Sequence, residues 1–408
     1  MKHVIALDVG KGKSTITIYN GCRQCEFEGE LQHTRMDFER LHDRIEAIIK
    51  LDGQAPDIVF EATGVYSKPV ERFFKDYGYA YSRINPLEAH LQMAKMRRHK
   101  TDISDAHELA KTHFKLERET TYIQDDYYEQ IRALTRYYDE IDEEMIVLKS
   151  RLHAILQMSF PELEKLITPS SALFLNIVQL YPHPALVLAH SKNVIKNRLK
   201  ANTRKNLSLD RAEKKAIELV EAAKNSYPAI KCTDVRCDQV RDYATRIGAL
   251  KEKKEALVQQ MTELSRERQE YVVLRSIPGI GDSTACRLIG EIGDIRRFKN
   301  AKQLNAYAGI DIMRYQSGNT HYQDRINKRG NKHLRKILYF MIQGMLMLKE
   351  KPNHFADYYY KLKKQPQRKP HKVAIIACVN KFLKVTFQLL TRGILYDYES
   401  ALPAQKSY

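Results

Sequence analysis

Residues 3–32 read HVIALDVGKGKSTITIYNGCRQCEFEGELQ. The run HVIALDVG, the alternating TITIYN after the turn GKGKS, and the more polar CEFEGEL predict three consecutive strands joined as an antiparallel meander. Beyond them, MDFERLHDRIEAIIKL sets Phe38, Leu41, Ile45, Ile48 and Ile49 on one helical face. DIVFEATG is apolar enough for a buried strand. A helix KPVERFFKDY, a strand YAYSRIN and a further helix from Pro86 follow. The predicted order is β-β-β-α-β-α-β-α, an α/β domain ending near residue 125.

Four acids fall at the ends of these elements. Asp8 closes the first strand and Glu61 the fourth, while Asp102 and Asp105 open a helix three residues apart and so share a face. Singly, each reads as a surface or capping residue, since a helix start favours acids. Together they suit two divalent cations about 3.5–4 Å apart, the arrangement used for phosphoryl transfer on nucleic acid. Arg97, Arg98 and Lys100 in KMRRHK precede Asp102 and could neutralise neighbouring phosphates, or simply solvate a helix end.

The 408 residues, 43% of them hydrophobic, allow two or three domains with ordinary cores. The 68 Lys and Arg against 50 Asp and Glu leave +18, which favours a polyanionic partner, nucleic acid first. The sequence has neither a membrane-length apolar run nor a cleavable leader, so a cytoplasmic protein is expected. Six cysteines in this length do not make a disulfide framework. Cys22 with Cys25, and Cys232 with Cys237, lack zinc-ribbon context and read as free thiols.

Apolar residues then recur at steps of three and four: Ile131, Leu134, Tyr138, Ile141, Met145, Leu148, Leu152, Ile155. A second, less pure seam runs Val240, Tyr243, Ile247, Leu250, Lys254, Leu257, Met261, Leu264, Arg268, Tyr271. Both predict coiled-coil helices over residues 126–270, paired as one antiparallel hairpin or between protomers. Polar inner positions in the second seam favour an oligomer, dimer or tetramer. Between the seams, nine Lys or Arg from Lys192 to Lys215 make either a nucleic-acid face or a solvated surface.

A helical third domain is expected over residues 271–395, followed by a disordered tail. IPGIG before DSTACRLIGEIG reads as a helix-hairpin-helix, in which Gly279 and Gly281 let backbone N–H groups meet a phosphate. Downstream, Ser317 and Gly318 fall in a polar loop, with Arg325, Lys328, Arg329 and Asn331 behind them as candidate nucleic-acid contacts. No neighbour of Ser317 supplies a base, so spacing alone makes it a turn residue.

The order of the N-terminal elements is that of the ribonuclease-H-like superfamily. With LDVG, FEATGVY, KTDxxDA, IPGIG, YAGI, QSG, INKRGN and LRKIL in sequence, the chain resembles the DEDD transposases of the insertion-sequence 110 family. The resemblance implies a resolvase-like domain holding Mg²⁺ or Mn²⁺ through Asp8, Glu61, Asp102 and Asp105. It also implies a C-terminal transposase domain whose Ser317 attacks a phosphate, activated by the acids of another protomer. Family members are guided by a structured RNA that pairs with donor and target DNA. Residues 158–238 are long for the family. Two other classes fit parts of the pattern: a junction nuclease that uses the acids without a serine adduct, and a non-catalytic scaffold whose acids only cap and pair.

Overall fold

The computed structural model describes residues 2–92, 101–116, 118–169, 171–202, 207–313, 316–317, 320–321, 325–348, 352–366 and 368–399. The chain forms two compact units, Met1–Ile123 and Gln124–Tyr408. It is a mixed α/β protein, mostly helical.

The first unit runs β1 (Val4–Val9), β2 (Lys13–Tyr19), β3 (Cys25–Gln32), α1 (Arg35–Asp52) and β4 (Asp57–Glu61). It continues with α2 (Lys68–Asp76), β5 (Tyr81–Ile84), α3 (Pro86–Gln92) and α4 (Asp102–His113). The sheet order is β3-β2-β1-β4-β5, with the first three strands antiparallel and β4 and β5 parallel to β1. Period-2 alternation divides β1 and β4 between two layers. Ile5, Leu7, Ile58 and Phe60 pack with Leu41 and Ile45 of α1 and Phe74 of α2. Val4, Ala6 and Val59 pack with Leu109 and Ala110 of α4. Thr34 caps α1 by accepting from the Asp37 N–H, and Gly53, at φ 70°, ends it in the left-handed conformation.

The second unit begins with α5 (Asp126–Ser159), α6 (Leu163–Leu166), α7 (Ala172–Leu180), α8 (Pro184–Leu188), α9 (Lys192–Asn202), α10 (Leu209–Asn225) and α11 (Arg236–Ser265). Next come α12 (Gln269–Arg275), α13 (Asp282–Ile292), α14 (Ala301–Ala308) and the short strands β6 (Ile312–Met313), β7 (Gln316–Ser317), β8 (Thr320–His321) and β9 (Arg325–Ile326). The helices α15 (Lys332–Met347), α16 (His354–Lys363) and α17 (His371–Arg392) complete it. Residues expected to form two separate domains thus share one unit.

The helices carrying the two seams, α5 and α11, pair within one chain. They run antiparallel: the Tyr127 hydroxyl donates to Ser265 Oγ at 3.0 Å, Thr135 meets Met261, and Lys254 donates to Asp142. The seam on α5 is buried from Ile141 to Ile155, whereas on α11 the inner face takes Ala244 and Ser265 and leaves Leu264 40% exposed. A helix of 3.6 residues per turn drifts off a 3.5-residue seam, so its inner face moves on by one position. The polar positions that favoured an oligomer have partners inside this chain. Lys254 lies 4.4 Å from the Tyr138 ring centre, and Arg268 4.3 Å from that of Tyr127. At one end of the pair the helices α6 to α10 close a core with Phe160, Ile177, Leu199 and Leu219. At the other, α12 to α17 enclose Ile277, Leu304, Leu338 and Phe382. Among the described helices α17 alone is long and apolar enough to cross a membrane, and half of its most apolar window is buried in this core.

Candidate acidic site and serine hairpin

The paired register of β1 and β4 ends at Leu7 with Phe60, so Asp8 and Glu61 are the next residues on adjacent parallel strands. Alternation puts both on the face that α4 covers, with Val4, Ala6 and Val59. The helix α4 runs antiparallel to β1, because His113 at its end lies 3.3 Å from Asp57 while the Ala106 carbonyl accepts from Thr17 at 3.4 Å. From His113 back to Asp105 is about 12 Å of helix, and from Val4 to Asp8 about 13 Å of strand. Asp105 therefore stands level with Asp8 and Glu61, and Asp102 one turn beyond.

Local sequence fixes that helix start. Thr101 and Ser104 form a capping box, the Thr101 side chain accepting from the Ser104 N–H and the Ser104 hydroxyl from the Thr101 N–H. Asp102 is exposed, while Asp8, Glu61 and Asp105 are half-buried. The Lys13 ammonium nearby is held above its ordinary pKa, first by its 2.6 Å contact with Glu30 and in smaller part by Asp102. Carboxylate oxygens are the donors hard divalent cations prefer, so the set suits such ions by donor type. Among the described residues, no three His, Cys, Asp or Glu side chains form a ready-made cage. All six cysteines are free thiols. Arg97, Arg98 and Lys100 lie outside the described residues.

Ser317 sits in a ribbon strand and not in a loop: β7 pairs with β8 through Gln316–His321 and Ser317–Thr320. Below it β6 pairs with β9 through Ile312–Ile326 and Met313–Arg325. Gly318 lies outside the described residues. The base of this hairpin is clamped. The Lys328 N–H donates to the Gly309 carbonyl at 3.0 Å, and the Asn327 N–H to that of Asp311 at 2.9 Å. Gly330 lies against Gly309 so closely that a side chain there would strike the Ala306 carbonyl at 2.7 Å. Arg325, Lys328 and Arg329 are exposed around that base.

Two of the predicted phosphate contacts have other duties. Asn331 caps α15 by accepting from the His333 and Leu334 N–H groups, and its amide donates to Glu291 at 2.6 Å and to the Tyr307 hydroxyl at 3.1 Å. Gly279, at φ 92°, is needed for packing, since a Cβ there would meet Met345 at 2.8 Å. Gly281 opens α13 with space around it, but Asp282 in the first turn, paired with Arg275 at 2.7 Å, puts a carboxylate where a phosphate was expected.

The sequence reading missed the ionic network that holds the hairpin's root. Arg136 of α5 grips the fully buried Glu291 through two bonds of 2.5 and 2.8 Å. Arg132 reaches the Gly290 and Glu291 carbonyls and the Tyr307 hydroxyl, and Asp139 takes Arg287 at 2.7 Å and His333 at 3.0 Å. Burial raises the Tyr307 pKa, but Arg132 and Arg297 outweigh it and bring it below the usual phenol value. The i, i+4, i+7 spacing of Arg132, Arg136 and Asp139 was the available signal for one helical face.

Comparison with known proteins gives family matches in both units of the chain. A transposase model of the DEDD type matches residues 5–161, and one described as the transposase IS116/IS110/IS902 family matches residues 271–360. A third, described as a snoRNA binding domain, fibrillarin, matches residues 137–302. The transposase for insertion sequence element IS1111A of Coxiella burnetii is 30% identical over 34% of this chain and 37% of its own length. The insertion element IS116 44.8 kDa protein of Streptomyces clavuligerus is 25% identical over 64% of this chain and 63% of its own. The pilin gene-inverting protein of Moraxella bovis is 30% identical over 39% and 48% respectively. These matches span less than two thirds of each relative. Thermus thermophilus RuvC in complex with a Holliday junction substrate matches 30% of this chain at 11% identity, with a TM-score of 0.22, too slight to define a shared fold. The two transposase models together span more than half of the sequence, and the chain belongs to the IS110 family of transposases.

Proposed function

We propose that the chain is a DNA transposase or recombinase that cuts and rejoins strands with the four acids and Ser317. The observation that carries this reading is the level set by α4, which aligns Asp105 with Asp8 and Glu61 at one end of the sheet. Asp8, Glu61, Asp102 and Asp105 would hold Mg²⁺ or Mn²⁺, which would supply Lewis acidity toward the scissile phosphate. Ser317 Oγ would attack phosphorus as the bond to the leaving sugar oxygen breaks, leaving a phosphoserine link that the incoming strand's hydroxyl later displaces. The acids serving this serine would come from another copy of the chain. Arg325, Lys328 and Arg329 would steer backbone phosphates to the ribbon.

A structured guide RNA is part of the proposal. The fibrillarin-type match over residues 137–302 and the exposed Arg198, Lys200, Arg211 and Lys214 of α9 and α10 support it. Incubating the protein with labelled donor and target DNA and the RNA that co-purifies with it tests the whole reading. A covalent protein–DNA adduct that depends on Ser317 is expected. Cleavage without an adduct would mean a junction nuclease, and random co-purifying RNA would remove the guide.

A further inference from the structure

The first unit has a cleft of about 680 Å³ at the start of β1 and β4, the end of the sheet away from Asp8 and Glu61. Its size is that of a small-ligand pocket. Four cations line it, Lys2, Arg23, Lys115 and Arg118, against one carboxylate, Asp57, an excess of three positive charges. Structural duties account for only part of this. Lys2 pairs with Asp57 at 2.7 Å, and Arg118 caps the end of α4 by donating to the Leu109 carbonyl at 3.2 Å and Thr112 Oγ1 at 2.8 Å. A helix C-terminus carries about half a negative charge, too little to call for Lys115 and Arg23 as well.

One detail points into this cleft. Arg23 takes φ 63° in the β2–β3 turn, a conformation that glycine or asparagine adopts more cheaply, and its guanidinium lies 5.6 Å from the Phe114 ring centre. A local strain held at a residue that lines a cavity points to use of its side chain. His113 lines the same wall: its Nε2 engages Asp57 at 3.3 Å, while Nδ1 is buried without a hydrogen-bond partner among the described residues. With Nε2 donating to the carboxylate, Nδ1 is left as a sealed acceptor behind the cleft wall. Cations and an aromatic wall in a single pocket suit a phosphate and a base.

We propose that this cleft binds one nucleotide of a single-stranded nucleic acid, its phosphate held by Arg23 and Lys115 and its base against Phe114. The site requires no strand cleavage, so it stands whether or not the acids and Ser317 act as proposed.

Anisotropy titrations of the full-length protein with labelled, unstructured RNA and DNA hexanucleotides, in chelator, test it. Arg23→Ala combined with Lys115→Ala should weaken binding about tenfold and flatten the salt dependence by about 0.7, the share of the one single-strand phosphate they neutralise. The strand type showing the larger loss is the ligand. The control pair Arg35→Ala and Lys50→Ala, exposed cations elsewhere in the unit, should change neither quantity. An unchanged double variant, or a control pair with an equal loss, overturns the proposal. So does a photocrosslink map of thio-substituted hexamers that lacks the peptide of residues 113–120.

Discussion

Cutting the Arg136–Glu291 pair from its two sides should give unequal losses of stability. The Glu291 side chain is fully enclosed, whereas that of Arg136 is 38% exposed. In Arg136→Ala a carboxylate stays sealed in the core with the Asn331 amide as its remaining side-chain donor, and stranding a buried charge costs about 3–5 kcal/mol. In Glu291→Ala the guanidinium can turn to water, and the loss is that of a charged hydrogen-bond set, about 1.5–3 kcal/mol. Replacing both with methionine should recover most of the loss, since a buried pair exchanged for apolar side chains is often neutral. Urea unfolding followed by circular dichroism measures the three values, and amide exchange in α13 and α15 localises them. If Glu291→Ala cost more than Arg136→Ala, the assignment of Glu291 as the trapped partner would be refuted.

Asp8→Asn should lower strand cleavage by about a thousandfold, some 4 kcal/mol of barrier, with the sheet's melting unchanged; chelation of the wild type should match it. Ser317→Ala should bind DNA normally yet leave no protein band shifted by labelled DNA on a denaturing gel. Gly290→Ala should destabilise the second unit by about 1–3 kcal/mol, because the added methyl would meet Thr135 Oγ1 at 2.6 Å; a thermal melt within a degree of wild type would contradict that packing. Burial pushes the His3 pKa down, but its bonds to Asp52 at 2.5 Å and Glu26 at 3.1 Å prevail and raise it. Its stabilisation of the first unit is thus full below about pH 6.5, the unfolded value, and fades as pH rises through the folded value. An NMR titration of the His3 ring below that pH would disprove it.

The strand meander was legible because it rests on local periodicity, whereas the level of Asp105 depends on how α4 packs against strands far away in sequence. Ile5 and Leu7 against Val4 and Ala6 already carry the two layers, and Asp8 inherits its face from them. The seams were legible too, but not their partners: Lys254 and Arg268 look like misplaced core positions until Tyr138 and Tyr127 are found beneath them. The spacing of Arg132, Arg136 and Asp139 shows one polar face of α5, but nothing local announces that α13 and α15 will cover it. Among basic neighbours Asn331 reads as a phosphate contact, yet an asparagine before a helix is first a cap. Gly279 misled likewise, as the side chain it makes room for, Met345, lies far along the sequence.

The helix that aligns the acids also ends at the basic cleft. Twelve residues make α4 a rod about 18 Å long, with Asp102 and Asp105 at one tip and His113 at the other. A rod cannot slide at one tip and stay still at the other. A nucleotide that drew His113 inward by 1 Å would carry Asp105 the same distance past Asp8 and Glu61, and misplacement on that scale costs about a hundredfold in rate. The acids are level with the far tip where it stands, so a strand seated in the cleft without shifting that tip would leave cutting intact, and one that pulled on it would slow cutting.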